Sequence, residues 1–119
     1  MPFKSLLEEL LERIPESSGA IIADWEGEAV DHVARMDDFE LRVTGAHKGI
    51  MLSNLRRVLG RLGQDRLREV VISTNLNRTL VLPVTEDYFL VLIVGRGVVL
   101  GRALFEARRC VVRLKEEIA

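Results

Sequence analysis

Residues 88–94, Tyr-Phe-Leu-Val-Leu-Ile-Val, are apolar at nearly every position. A strand sends successive side chains to opposite faces, so a run without polar alternation reads as a strand covered on both sides. It is far short of the ~20 residues that span a bilayer as a helix. The run is the candidate for the middle of its sheet, with a covering layer on each face. Thr85-Glu86-Asp87 before it and Gly95 after it supply the turns that bound it.

The rest of the chain provides those layers. Phe3, Leu6, Leu7, Leu10, Leu11 and Ile14 recur at helical spacing, with Pro2 in the first turn and Pro15 as the stop. Residues 19–25 and 28–33 read as a hairpin around Glu26-Gly27, and residues 69–74 and 78–84 as two antiparallel strands around Asn75-Leu76-Asn77. Pro83 cannot donate to a ladder and belongs at a strand end or bulge. Leu100, Leu104, Ala107, Val111, Leu114 and Ile118 form a closing helical stripe. The order is α-β-β-α-β-β-β-α, an α+β fold.

The second helix, capped by Asp37 or Asp38 and running from Phe39 to about Leu62, has two apolar sides. Phe39, Val43, Ala46 and Ile50 lie on one, and Leu41, Leu52, Leu55, Leu59 and Leu62 on the other. A chain of 119 residues has too little sequence to cover both, so one side is expected to meet another subunit. Residues 1–119 are expected to form a single domain, since no repeat or Gly/Ser-rich linker divides them.

Composition narrows the function. A net charge of −1 withholds the basic surface that polyphosphate requires, so nucleic acid is not an expected partner. Cys110 is the only cysteine and can form no intrachain disulfide, which agrees with a reducing compartment. Lys4 is followed by Glu8, Glu9 and Glu12, unlike an export signal, and a cytoplasmic protein without direct membrane insertion is expected.

Chemistry finds little to work with. Gly95-Arg96-Gly97 with Gly101 follows a strand and opens a helix, but no βαβ unit follows; a tight turn and a close helix-to-sheet contact are the ordinary reading. Gly45-Ala46-His47-Lys48-Gly49 lacks the spacing of a phosphate loop, so the chain should not bind GTP itself. His32 and His47 are isolated, Cys110 falls near an apolar stripe, and Asp24 and Asp31 read as turn and surface carboxylates. No catalytic residue, metal ligand, cofactor or small-molecule substrate is expected, and the chain is not read as an enzyme.

Arginine is the more informative type. Arg56, Arg57 and Arg61 on the second helix, with Arg66 and Arg68 beyond, suit an acidic protein surface; the alternative is a set of solvated residues balancing nearby acids. Arg102, Arg108, Arg109 and Arg113 on the last helix read as a solvent face.

The element order, the helix ending at Ile14-Pro15, Gly19-Ala20-Ile21-Ile22-Ala23-Asp24 followed by Gly27-Glu28, Leu59-Gly60, Glu69-Val70-Val71-Ile72, Leu80-Val81-Leu82-Pro83-Val84 and Leu100-Gly101-Arg102-Ala103 together resemble the Roadblock/dynein light chain family, and within it the bacterial MglB-like members. The resemblance covers nearly the whole chain. It implies a Roadblock/profilin-like five-stranded antiparallel sheet sandwiched by helices, and a homodimer joined through the second helix and third strand. The candidate interface is then Val43, Ala46, Ile50, Val70 and Ile72, and the candidate partner-binding residues are Arg56, Arg57 and Arg61. The resemblance further implies a regulator or scaffold for a prokaryotic Ras-like small GTPase, which in the MglB-like case promotes hydrolysis by rearranging the GTPase's own residues. The sequence carries no long terminal extension of the MglB-like kind, so the expectation is GTPase binding first. A structural adaptor without nucleotide sensing is the other expectation.

Overall fold

A computed structural model describes residues 3–26, 28–60 and 67–118; Pro2, Gly27, Leu62 and Gly63, named above, lie outside them. The elements are α1 (Phe3–Arg13), β1 (Ser17–Asp24), β2 (Ala29–Ala34), α2 (Asp38–Gly60), β3 (Val70–Ser73), β4 (Asn77–Pro83), β5 (Tyr88–Gly95) and α3 (Leu100–Ile118). The order matches the apolar periodicities, and the architecture is α+β. The strands form one antiparallel sheet in the spatial order β2-β1-β5-β4-β3, with the apolar run at its centre and Pro83 at the end of its strand.

β5 serves two cores because its side chains alternate. Leu90, Leu92 and Val94 pack with α1 and α3 on one face, and Phe89, Val91 and Ile93 face α2 on the other. The first core includes Leu7, Leu11, Ile22, Leu80, Ala107 and Leu114, and the second Ile21, Leu41, Leu52 and Val81. A fully buried aliphatic or aromatic side chain contributes about 1.5–3 kcal/mol, so truncation along β5 is costly on both sides.

The end of α1 is held by cations from distant elements. Helix termini leave carbonyls without intrahelical partners. Arg35 donates to the carbonyls of Pro15 at 2.8 Å and Leu11 at 3.1 Å, and Arg102 donates to that of Arg13 at 2.8 Å. Ser17 closes the turn by donating its hydroxyl to the carbonyl of Ile14 at 2.6 Å. These contacts tie β2 and α3 to one point on α1.

Asp37 is the cap of α2: its carboxylate accepts from the backbone N–H of Glu40 at 3.2 Å. The inward face of α2 is Leu41, Gly45, Gly49 and Leu52, all buried. Two of these are glycines for a steric reason. A Cβ on Gly49 would stand 2.7 Å from Cζ of Phe89, and one on Gly45 would stand 3.2 Å from Cδ1 of Ile21. The backbone of α2 thus lies directly on the side chains of β1 and β5. The segment Gly45-Ala46-His47-Lys48-Gly49 is a packing face.

Gly95-Arg96-Gly97 forms the expected tight turn, with the N–H of Val98 donating to the carbonyl of Gly95 at 3.3 Å. Gly101 departs from expectation. It is exposed, and a Cβ there would meet nothing within 4 Å, so it makes no close helix-to-sheet contact. Instead α3 packs through Ala103, Ala107, Cys110, Val111 and Leu114.

Candidate protein-interaction surface

With Leu41, Gly45, Gly49 and Leu52 turned inward, the other side of α2 is left open. Phe39 is 71% exposed and Ile50 59%, and Val43, Met51 and Val58 are exposed with them. At about 100° per residue, Phe39, Val43, Ala46 and Ile50 fall within about 60° of one another, forming an outward apolar stripe. A contiguous stripe of large apolar side chains on a surface helix is the mark of an interaction face.

The edge strand β3 is also open. β3 pairs with β4 from Val70↔Val81 to Ser73↔Arg78, and has no strand on its other side among the described residues. Val70 and Ile72 turn toward α2 and border a narrow cleft with Lys48, Met51, Leu52 and Leu55. The five interface candidates therefore fall in two places: Val43, Ala46 and Ile50 on the outward stripe of α2, and Val70 and Ile72 on the edge strand. Met51 and Leu55 join them into one surface. Sequence reasoning misses this bridge because periodicity groups Leu55 with Leu41 and Leu52, whereas it is 40% exposed. The glycines at 45 and 49 are the available signal, since they move the buried face away from Leu55.

Among the described residues, Arg56 and Arg57 have different surroundings. The Arg56 guanidinium lies over the Trp25 ring, 4.1 Å from its centroid, and donates to the Glu86 carbonyl at 3.4 Å. Arg57, one residue on, is exposed, lies on the side of Phe39 and Ile50, and donates to Oδ1 of Asn54 at 3.2 Å. Arg61 and Arg66 lie outside the described residues. Arg68 is exposed.

Other reactive side chains are held in structural roles. Cys110 is buried, and burial pushes its thiol up to about 12. Asp24 accepts from the N–H groups of Glu26 and Glu28, both at 3.0 Å, closing the hairpin turn. Glu9 is held below the usual carboxylate value, first by its hydrogen bond from Arg113 and then by that from Arg13. Glu69 is lowered likewise by Arg108. Among the described residues, no group of three or more His, Cys, Asp or Glu side chains is placed to hold a metal ion, and no helix is long and apolar enough to cross a membrane.

An edge strand beside an apolar helix stripe fits association with another protein through backbone pairing and side-chain burial. The sequence pattern of the Roadblock/LC7 domain matches residues 4–94. A comparison with curated proteins gave no match. Among solved structures, a Roadblock/LC7 domain from Streptomyces avermitilis superposes with a TM-score of 0.88 at 18% identity, covering 97% of this chain and 96% of that one. MglB of Myxococcus xanthus gives 0.89 at 9% identity, covering 99% and 95%. The gliding protein MglB of Thermus thermophilus gives 0.84 at 21% identity, covering 97% and 88%. At these identities the likeness is one of fold.

Proposed function

The chain belongs to the Roadblock/LC7 domain family, and from that premise we propose that it is a homodimeric regulator or scaffold that binds a prokaryotic Ras-like small GTPase. The observation that carries the reading is the apolar stripe of α2 running through Met51 and Leu55 into the unpaired edge of β3. Two copies related by a two-fold axis would pair their β3 edges antiparallel and bury their α2 stripes in one step. Val43, Ala46, Ile50, Val70 and Ile72 are then intersubunit. The doubled sheet presents a composite surface on which exposed polar positions of α2, Arg57 among them, meet the GTPase.

The choice of a GTPase partner is supported by family membership and by the likeness of fold to MglB from two bacteria. The chain supplies binding, and any acceleration of hydrolysis comes from rearranging the GTPase's own residues. Light scattering across a dilution series tests the dimer. Association of a purified Ras-like GTPase, loaded in turn with GDP and a GTP analogue, tests the partner. Nucleotide-dependent binding is expected, and absence of binding in both states would refute the partner assignment.

A second reading, a structural adaptor that joins proteins without sensing nucleotide, is favoured by one observation. Arg56 is engaged with Trp25 and the Glu86 carbonyl, so the described face of α2 is more apolar than cationic. Equal affinity for the two nucleotide states would select this reading, because a switch requires differential affinity.

A further inference from the structure

β2 and β3 are the two edges of the sheet, and they differ in what they offer another strand. In an antiparallel pair, hydrogen-bonded and non-hydrogen-bonded positions alternate, so a single bond fixes which backbone groups point outward. The N–H of Arg35 donates to the Ser18 carbonyl at 2.8 Å, in the register that pairs Gly19 with Ala34 and Ile21 with His32. Asp31 and Val33 therefore turn their backbone groups to β1, and His32 and Ala34 turn theirs to the outer edge. On β3, the N–H of Thr74 donates to the Asn77 carbonyl at 2.9 Å, so the outward groups are those of Val71 and Ser73.

The outward N–H of His32 is already taken, donating to Oδ1 of Asp31 at 2.9 Å. Beside it the strand is interrupted. Ile22 pairs with Asp31 and Ala23 with Ala29, which leaves Val30 as an extra, exposed residue in a β-bulge. A bulge bends its strand and breaks the regular spacing of edge groups. At the end of β2, Arg35 commits its guanidinium to the carbonyls of Leu11, Pro15 and Ser17. β3 has no such features: its register with β4 runs unbroken from Val70 to Ser73, and among the described residues no side chain accepts from the N–H of Val71 or Ser73.

We infer that β2 is a stop edge, closed to strand addition by the Asp31 carboxylate on the His32 N–H and by the Val30 bulge, so that copies of this chain join through β3 alone and assembly ends at a pair. The pair rests on the two-fold association proposed above, whereas the closure of β2 does not. A two-fold contact consumes both β3 edges and leaves a β2 edge at each end of the joined sheet. Were those ends open, further copies would add strand to strand. A strand approaching β2 must displace the carboxylate from His32, and a second β2 would bring a second Asp31 to the same edge, like charge against like.

The test is mass by light scattering across a concentration series of the full chain and three variants. The parent should level off at two subunits. Asp31→Val removes the acceptor and should at least about double the parent's mass at high concentration. Asp31→Asn should match the parent, because its amide oxygen still accepts from His32. Adding Ala34→Pro to Asp31→Val removes an outward donor that β1 does not use and should return the mass to the parent's. Circular dichroism checks the fold of each variant. Hydrogen exchange on the parent gives a second reading that needs no variant: the His32 amide should be protected at least about tenfold over that of Ala34. The proposal is overturned if Asp31→Val keeps the parent's mass, if Asp31→Asn gains as much as Asp31→Val, or if the two amides are equally protected. A monomeric parent would overturn the pair through β3, while a rise to two subunits in Asp31→Val would still place the stop on β2.

Discussion

The guanidinium of Arg56 stacks over the indole of Trp25 at 4.1 Å while donating to the carbonyl of Glu86, so a single side chain of α2 pins the turn after β1 and the turn before β5. Trp25 in turn leans on Phe89, with ring centroids 5.1 Å apart. The expected outcome for Arg56→Ala is a loss of about 1 kcal/mol, the magnitude of a partly exposed cation–π contact, and Arg56→Lys should lose less. Chemical denaturation of the two variants checks it. An unchanged midpoint in Arg56→Ala would return Arg56 to the solvent.

Gly49 and Gly45 should respond differently to alanine. At Gly49 the new Cβ meets the Phe89 ring at 2.7 Å, and that ring is fixed in the central strand. Overpacking of this kind costs about 1–3 kcal/mol, more than the helical propensity gained, up to about 1 kcal/mol. Gly49→Ala is therefore destabilising. At Gly45 the neighbour at 3.2 Å is the tip of the Ile21 side chain, which yields by a small rotation. Gly45→Ala should fall within about 1 kcal/mol of the parent, and thermal melts of the pair separate the two cases.

The two sides of α2 predict opposite consequences for a charge. Ile50→Asp places a carboxylate on the open stripe, where water solvates it, and should leave the monomer folded while breaking the proposed dimer. Leu52→Asp places one in the second core without a partner and should unfold the chain. Mass by light scattering and circular dichroism read the two outcomes. A dimer that survives Ile50→Asp would exclude the stripe from the interface.

Acid should weaken the fold through two partly buried carboxylate sites. The hydrogen bond from Arg108 lowers Glu69, and those from Arg113 and Arg13 lower Glu9, each from the usual 4.5. A carboxyl depressed in the folded state is protonated more readily in the unfolded chain. Its stabilisation is present above 4.5 and is lost as pH falls through the lower folded values. The melting temperature should fall as pH drops below about 4.5, and Arg108→Ala should make that fall shallower. An identical slope in the variant would remove Glu69 as a contributor.

Element order, the central position of β5 and the presence of two apolar sides on α2 were legible in the residues themselves, because periodicity is a local property that each segment carries on its own. Even the end of α1 before Pro15 and a cap at Asp37 or Asp38 follow from nearest neighbours in the chain. What tertiary structure decided were matters of contact over long sequence separations. Leucines on α2 marked one of its two apolar sides without saying which turned inward; Gly45 and Gly49 carry no apolar signal and still form the centre of the inward face, since only their missing side chains let the helix settle onto Ile21 and Phe89. That shift left Leu55 partly exposed and joined the α2 stripe to β3. Likewise Arg56 and Arg57 are adjacent and equal in charge, but only the fold brings Trp25 under one of them and leaves the other in water.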